Sequence, residues 1–270
     1  MNSDYKIKEK EKFSRLLKSF AETLSGQITR DGEWTVKGFV DVFRNLYTIS
    51  LDTKVISKVM EIHLFPSFTK FAQDNGYIIE PATRQNYYPD LTVISESNPE
   101  IMFAVDLKTT ARDDWKVGQC NGFTLGSHGT YFQNREGSKN IQHPYGKYLG
   151  HFCLGVIYTK ASDKESRPER RNIDELDKVK SVISDLVFFA EEKWKIASDK
   201  HGSGNTANIG SIRSIADILT GNGVFAKAGE ELFDDYWMNY GKIRDEHGIV
   251  DTFARYLKYR NLPASYNNKK

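Results

Sequence analysis

The sequence predicts a mixed α/β fold, in which a central mixed β-sheet is flanked by helices. Two β-rich runs, Leu91–Ser95 and Ile101–Thr110, are separated by a short polar turn, which is typical of an antiparallel pair of strands. A third apolar run, 151–159, has the composition of another strand. Stretches with helical apolar spacing surround these runs. The chain has 270 residues, 39% of them hydrophobic and 27% charged, which is enough to bury a core around such a sheet.

The N-terminal part predicts a helix and then a small β-element. Gly26 lies where a C-terminal cap would end the helix. The segment 28–40 suggests a β-element with a turn at Asp31–Gly32, and we expect a short helix after it as far as about Leu46. The apolar face of the first helix, spaced as one side of a helix requires, comprises Phe13, Leu16, Leu17, Phe20 and Leu24.

A second helix is predicted to follow Ser50 and Asp52, either of whose side chains could cap it. Pro66 is expected to kink or interrupt this helix, and Asn75–Gly76 to end it. Glu61 lies among the apolar residues of the helix, where a solvated position is its ordinary explanation. Further along, we predict a strand at 77–80, a strand or strand pair at 186–197, a charged mobile insertion at 160–178, and helices near Ile212–Leu219, Glu230–Tyr240 and Val250–Tyr259.

The composition argues against some classes of protein. The formal net charge of +2 neither favours nor excludes a nucleic-acid partner, because local charge is what meets phosphate. Cys120 and Cys153 lack a metal-type spacing, and the scattered histidines form no HExxH motif, so a zinc hydrolase is not indicated. Neither a GxSxG motif nor a P-loop is present. The charged N-terminus lacks an apolar signal core, and no run is long enough to span a membrane, so we expect a cytoplasmic protein.

The main candidate for chemistry is Pro89–Asp90, followed after a turn by Asp106-x-Lys108. Side chains alternate faces along a strand, so Asp106 and Lys108 are expected on one face and Leu107 on the other. Asp90, at the corresponding end of the neighbouring strand, would add a second carboxylate. Two carboxylates and an ammonium suit a hard cation such as Mg2+ together with a phosphate, and the Leu107 carbonyl could add a ligand. Each residue alone also fits a turn or a solvated strand face, but their order matches the PD-(D/E)XK pattern of nucleases.

A second candidate is the segment 201–211, HGSGNTANIGS, which local rules assign to a loop. Backbone amides beside glycine can approach base edges closely, and asparagine can bond adenine through two hydrogen bonds in the major groove. A plain flexible loop has the same composition. The loop alone therefore leaves both interpretations open.

Several separated segments together resemble the type II restriction endonucleases of the PD-(D/E)XK superfamily. These segments are GYIIEPATRQNYYPD (76–90), AVDLKTT (104–110), FTLGS (123–127) and, above all, the long and unusual GSGNTANIGSI (202–212). The resemblance begins near Asp52 and extends to about Trp237. Met238 then stands where the family uses basic side chains to hold phosphates, which puts those backbone contacts in doubt.

The resemblance implies a PD-(D/E)XK core that acts as a homodimer in a U-shaped DNA clamp. It implies that Asp90 and Asp106 are metal-binding carboxylates and that Lys108 lies near the attacking water and the scissile phosphate. Glu61 matches the helix acid near the active site, and is also a candidate metal ligand. The cofactor would be Mg2+, for which Mn2+ can substitute. The implied DNA-binding residues are Gly202, Ser203, Gly204, Asn205 and Thr206 in the major groove, Gln85 and Asn86 at the minor groove, and Lys54 and Thr110 close to the DNA.

The implied reaction is a double-strand cut in DNA at the palindrome GATATC, leaving blunt ends with a 5′-phosphate and a 3′-hydroxyl. The host would need a cognate DNA methyltransferase to protect its own sites. We divide the chain into a dimerisation-related part (1–50), an endonuclease core (51–245), and a C-terminal helix with a flexible tail (246–270). Two alternatives stay open at this point: a nuclease of the same fold that repairs DNA or cuts DNA structures, and a non-catalytic DNA-binding protein.

Overall fold

The computed structural model describes residues 2–162, 167–202 and 207–268. Its helices are α1 (Ser3–Ile28), α2 (Thr53–Asp74), α3 (Thr130–Gln133), α4 (Ile215–Thr220), α5 (Glu230–Asn239) and α6 (Phe253–Tyr259). Its strands are β1 (Thr29–Arg30), β2 (Glu33–Trp34), β3 (Gly38–Val40), β4 (Asn45–Thr48), β5 (Tyr77–Pro81), β6 (Leu91–Ser95), β7 (Met102–Ala111), β8 (Thr124–Ser127), β9 (Gly150–Lys160), β10 (Arg170–Asn172), β11 (Ile183–Glu192), β12 (Ala197–His201), β13 (Asn208–Ser211), β14 (Arg244–Asp245) and β15 (Gly248–Ile249).

A seven-stranded mixed sheet forms the centre of the fold, with strand order β1-β2-β11-β9-β7-β6-β5. Neighbouring strands are antiparallel except β7 and β9, which run parallel. The predicted antiparallel pair is confirmed, because Leu91 of β6 faces Val105 of β7. Smaller sheets join β10-β4-β3, β12-β13-β8 and β14-β15. The predicted mixed α/β fold class, a central sheet flanked by helices, is therefore confirmed.

Two apolar cores cover the two faces of this sheet. Phe103 and Val105 point into the core that α1 and α2 close. Ala104, between them on the strand, points into the opposite core, which α5, α6 and the β12–β13 hairpin close. The period-2 alternation predicted for this strand is thus what separates the two cores. Asp106 and Lys108 continue the Ala104 face of β7.

The first helix packs on the sheet. The ring of Phe13 stacks on Phe103 with 4.1 Å between centroids, and Leu17 is fully buried beside it. An ion pair from Lys18 to the buried carboxylate of Glu191 also ties α1 to β11. None of the helices in the described part of the chain combines the length and apolar character needed to cross a membrane.

Two predictions for the N-terminal part are wrong. Gly26 does not end α1, which continues to Ile28, because Ile28 extends the buried stripe one turn past Leu24. Gly26 has open space around it, so its cost inside the helix is only about 1 kcal/mol. The short helix expected up to Leu46 is instead the hairpin β3–β4. Its strand β4 pairs with β10, a partner more than 120 residues away that no local pattern reveals.

Two other expectations also change. The expected interruption at Pro66 is wrong, because α2 is continuous from Thr53 to Asp74, whereas the alternative of a kink stays a prediction. Pro66 is exposed, and so is Ile62, whose carbonyl loses the hydrogen bond, so water can satisfy that carbonyl. The insertion at 160–178 contributes a strand, β10, and a 3-10 turn at Ile173–Lys178, although residues 163–166 lie outside the described residues.

Candidate active site

The pairing of β6 with β7 brings the two motif carboxylates together. Leu91 faces Val105, so the residues one step further, Asp90 and Asp106, face each other at the end of the pair. Directly opposed residues on an antiparallel pair have side chains on the same face, about 5 Å apart. β6 covers β7 only as far as Val105, whereas β9 pairs with β7 along 103–111. From Asp106 onward, β7 is therefore supported on one edge and open on the other.

Asp90 binds the backbone of β7 at its open edge. The backbone N–H of Leu107 donates a 2.7 Å hydrogen bond to Asp90 Oδ2. In a strand, the N–H and C=O of one residue point to the same side. The Leu107 carbonyl therefore points to the same open side as Asp90, as a backbone metal ligand must.

The ammonium of Lys108 lies beside both carboxylates. Its Nζ lies 2.5 Å from Asp106 Oδ2 and 3.9 Å from Asp90 Oδ2. Burial by itself would lower the pKa of Lys108, but the charges of Asp106 and Asp90 outweigh it and raise the pKa above its ordinary value. Lys108 is therefore a cation at neutral pH in the metal-free protein, and its ammonium can stabilise negative charge beside the two carboxylates.

The two carboxylates carry more negative charge than Lys108 offsets. Burial, and then the charge of Asp106, raise the pKa of Asp90 to about 7. Such crowded carboxylates favour a divalent cation, so the donor set fits Mg2+ or Mn2+. Among the described residues, no three His, Cys, Asp or Glu side chains form a metal-binding group. A cation here would therefore depend on Asp90, Asp106, the Leu107 carbonyl and water.

Helix α2 forms the other wall of the site. Asp52 caps it as predicted, accepting hydrogen bonds from the N–H groups of Lys54 and Val55. A cleft of about 800 Å³ runs along the helix, and its lining includes Lys54, Glu61, Gln85 and Asp90. A pocket of about 200 Å³ joins Glu61 and Asp90 to Leu107 and Lys108. These predicted residues therefore share one cleft.

Glu61 faces this cleft but is engaged by a neighbour on the helix. Its Oε1 lies 2.7 Å from Lys58 Nζ, one turn earlier, and both side chains are exposed to solvent. An exposed pair of this kind is worth less than about 1 kcal/mol, so it does not prevent Glu61 from turning towards a cation. A metal-ligand role for Glu61 remains a prediction.

Most of the predicted DNA-binding residues lie in two separate segments of the chain. Gln85 and Asn86 form the exposed tip of a turn closed by the hydrogen bond from the N–H of Tyr87 to the Arg84 carbonyl. Gly202 directly follows β12, at the start of the loop of the β12–β13 hairpin, and a Cβ there would come within 2.6 Å of Thr124. The remaining residues of that loop, which are Ser203, Gly204, Asn205 and Thr206, lie outside the described residues.

Thr110 is not in the cleft. Its side chain is buried and donates a 2.5 Å hydrogen bond to the carbonyl of Asn121. The preceding residue, Thr109, lines the cleft instead, together with Lys58 and Arg84, which the sequence reasoning did not select. The alternation of β7 could have indicated Thr109, since it shares the face of Leu107. Lys58 could have been found one helical turn after Lys54.

Replacing Asp90 by asparagine is expected to stabilise the metal-free protein at neutral pH. The folded-state pKa of about 7 lies above the ordinary value of 3.8, so folding binds a proton between these values. The loss in the free energy of unfolding that ionised Asp90 causes therefore grows as pH rises from about 4 to about 7 and stays constant above pH 7. Thermal melts should give Asp90→Asn a melting temperature several degrees above wild type at pH 8 and nearly equal at pH 4. Asparagine keeps an acceptor for Leu107, and Glu96→Gln, at the other end of β6, serves as the control. A difference that does not change with pH would contradict this explanation.

Comparison with known proteins identifies the family of this chain. The family model described as restriction endonuclease EcoRV matches residues 30–262. Among curated proteins, the type II restriction enzyme EcoRV of Escherichia coli is 35% identical over 230 residues, which cover 85% of this chain and 91% of that enzyme. The match includes the strands that carry Asp90, Asp106 and Lys108, as well as the wall formed by α2. The chain belongs to the EcoRV family of restriction endonucleases, and is thus a type II site-specific deoxyribonuclease.

Proposed function

We propose that this endonuclease cuts double-stranded DNA at GATATC, at the centre of the site, in a reaction that requires Mg2+ or Mn2+. The observation that carries the proposal is the opposed pair Asp90 and Asp106, with Lys108 2.5 Å from Asp106, at the open edge of β7. Family membership favours site-specific cutting over a repair nuclease or a non-catalytic binding protein.

In the proposed mechanism, Asp90, Asp106 and the Leu107 carbonyl hold the cation, with Glu61 as a further candidate ligand. The cation, when bound, would neutralise the scissile phosphate and lower the pKa of a water molecule. The ammonium of Lys108, beside Asp106, would donate hydrogen bonds to the phosphate oxygens on which negative charge develops. Lys54 and Arg84, on the wall of the cleft, would bind neighbouring phosphates. In-line displacement would leave a 5′-phosphate and a 3′-hydroxyl.

The proposed target rests on the segment GSGNTANIGSI, which resembles the recognition loop of GATATC-cutting relatives. Gly202 to Thr206 would contact base edges in the major groove, while Gln85 and Asn86 would reach the minor groove. The central TA step is a flexible pyrimidine–purine step, so bending there would add to specificity without direct contacts.

Asn205→Ala is expected to weaken discrimination by about 1–3 kcal/mol, because asparagine can bond adenine through two hydrogen bonds. Cleavage rates should be compared on GATATC and on sites that differ from it at single positions. We expect the preference to relax at one adenine only. A uniform loss of rate on all sites would instead indicate a structural role for Asn205.

We further propose a homodimer, because a palindrome presents the same bond twice and a two-fold dimer supplies two identical sites. The hairpin β3–β4 offers an exposed apolar surface for a second copy, and its tip is held by Asp41, which accepts hydrogen bonds from Phe43 and Asn45. We call this surface the hairpin patch, and it comprises Phe39, Val40, Val42, Phe43 and Tyr47. A host methyltransferase that modifies the same sequence would be the functional partner, and the cytoplasm the place where both meet DNA.

The test is to incubate the purified protein with a plasmid that carries one GATATC site, with Mg2+ and with EDTA, and to sequence the ends. A single blunt cut at the central TA step that requires Mg2+ is the expected result. Cutting at a different discrete sequence would keep the chemistry and refute the target. Cutting that persists in EDTA would refute the role of the cation.

A further inference from the structure

Lys193 is a buried ammonium for which the structure gives no hydrogen-bond partner among the described residues. It begins the 3-10 turn Lys193–Ile196 that follows β11, and only 4% of the residue is exposed. A buried ammonium without a hydrogen-bond partner is costly, so its retention calls for an explanation. The nearby Arg135 is different, because its guanidinium lies 2.7 Å from the carboxylate of Asp234.

Aromatic rings surround the Lys193 ammonium. Its Nζ lies 5.4 Å from the ring centroid of Tyr88, 5.3 Å from that of Phe132 and 5.5 Å from that of Tyr145. Each ring face attracts a cation, and together they hold the ammonium in place without a hydrogen bond.

This cage and Asp106 lie on the same face of the central sheet, where Asp106 pairs with Cys153 of β9 and Cys153 pairs with Glu191 of β11, two residues before Lys193. Tyr88 is two residues before Asp90, and its ring contacts Lys193. Phe132 and Tyr145 belong to the same core as Ala104, on the face of β7 that continues to Asp106. Burial lowers the pKa of Lys193 to about 8, and the strongest charge opposing that shift is Asp106. Asp106 therefore has one cation in direct contact, which is Lys108, and the charge of a second cation, Lys193, also acts on it.

We propose that Lys193 acts through Asp106: its caged positive charge, on the same face of the sheet, limits how tightly the site binds a divalent cation. The inference rests on the proposed metal role of Asp90 and Asp106. A positive charge near the ligands repels a doubly charged ion twice as strongly as it repels a proton. Removing the charge therefore tightens cation binding even where protons compete for the carboxylates. A purely structural lysine would have the opposite effect, because its loss would loosen the site.

The experiment measures Mn2+ binding to the full-length, DNA-free protein by electron paramagnetic resonance and by calorimetry. Lys193→Met keeps the length of the side chain and removes its charge, and we expect it to bind Mn2+ about three- to tenfold more tightly than wild type. Lys193→Arg should restore an affinity close to wild type. The matched control is Lys195→Met, two residues away, where the lysine is partly exposed and pairs with Glu192 at 2.8 Å, and no change is expected. Lys193→Gln provides a second neutral variant if Lys193→Met does not fold, as judged by thermal unfolding.

Asp106→Asn separates the two proposals. If wild type binds Mn2+ and Asp106→Asn does not, the metal site stands, and unchanged or weaker binding by the neutral Lys193 variants overturns the role of Lys193 alone. If Asp106→Asn binds Mn2+ as well as wild type does, the metal site itself is refuted, and the inference about Lys193 is refuted with it.

Discussion

Asp106→Asn is expected to reduce the rate of DNA cleavage by about a thousandfold or more, which corresponds to about 4 kcal/mol of transition-state stabilisation. Asp106 faces Asp90 across the end of the β6–β7 pair and contacts Lys108 at 2.5 Å. The substitution therefore removes the charge of a proposed cation ligand together with the carboxylate that contacts Lys108. Both losses weaken the stabilisation of the negative charge that develops on the phosphate in the transition state.

The measurement is single-turnover cleavage of a duplex oligonucleotide over a range of Mg2+ concentrations. Glu96→Gln is the matched control, because Glu96 is an exposed carboxylate at the opposite end of β6. Binding of the same duplex in Ca2+ and a thermal melt would show whether Asp106→Asn keeps its fold. A folded Asp106→Asn protein that cuts at the wild-type rate would refute the assignment of the site.

Phe43→Glu is expected to convert the proposed homodimer into monomers and to abolish double-strand cutting. Phe43 is 81% exposed and Val42 is 91% exposed at the tip of the hairpin patch, so a glutamate there does not disturb the core of one subunit. In a dimer interface, however, the same glutamate would bury an unpaired charge, which costs several kcal/mol per copy. Since a palindrome needs two sites, loss of the dimer should remove paired cuts.

Sedimentation velocity measures the association state, and cleavage of a supercoiled plasmid separates nicking from double-strand cutting. Val117→Glu is the matched control, since Val117 is fully exposed on a different loop and lies outside the hairpin patch. A Phe43→Glu protein that stays dimeric would refute the hairpin patch as the interface. A wild-type protein that is monomeric both free and on DNA would refute the dimer itself.

The candidate site could be predicted from sequence because its geometry is local. Asp90, Asp106 and Lys108 belong to two strands joined by one short turn, so alternation along β7 and the register of one antiparallel pair bring them together. The cap at Asp52 and the end of α2 at Asn75–Gly76 were predictable for the same reason, since both depend on neighbouring residues. The position of Glu61 opposite the strands came only from the family resemblance.

What could not be predicted depends on distant partners. The hairpin β3–β4 replaces an expected helix because β10, contributed by the charged segment 160–178, pairs with β4. Lys193 is flanked by Glu192 and Trp194 in the predicted strand or strand pair at 186–197, where no local pattern indicates that this lysine is buried. Its burial becomes visible only when rings from Tyr88, Phe132 and Tyr145 are seen to meet around it. The sequence between these residues carries no periodicity that would group them.

The early end of β6 has a consequence for the integrity of the protein as well as for its chemistry. An uncovered strand edge, with free N–H and C=O groups, invites pairing with strands of other chains and therefore aggregation. Here the N–H of Leu107, the first such group past Val105, is taken by Asp90 Oδ2. One carboxylate thus occupies the donor that a longer β6 would have used and still faces the cleft. The sheet can therefore stay open at the site while the first donor on its exposed edge is already occupied.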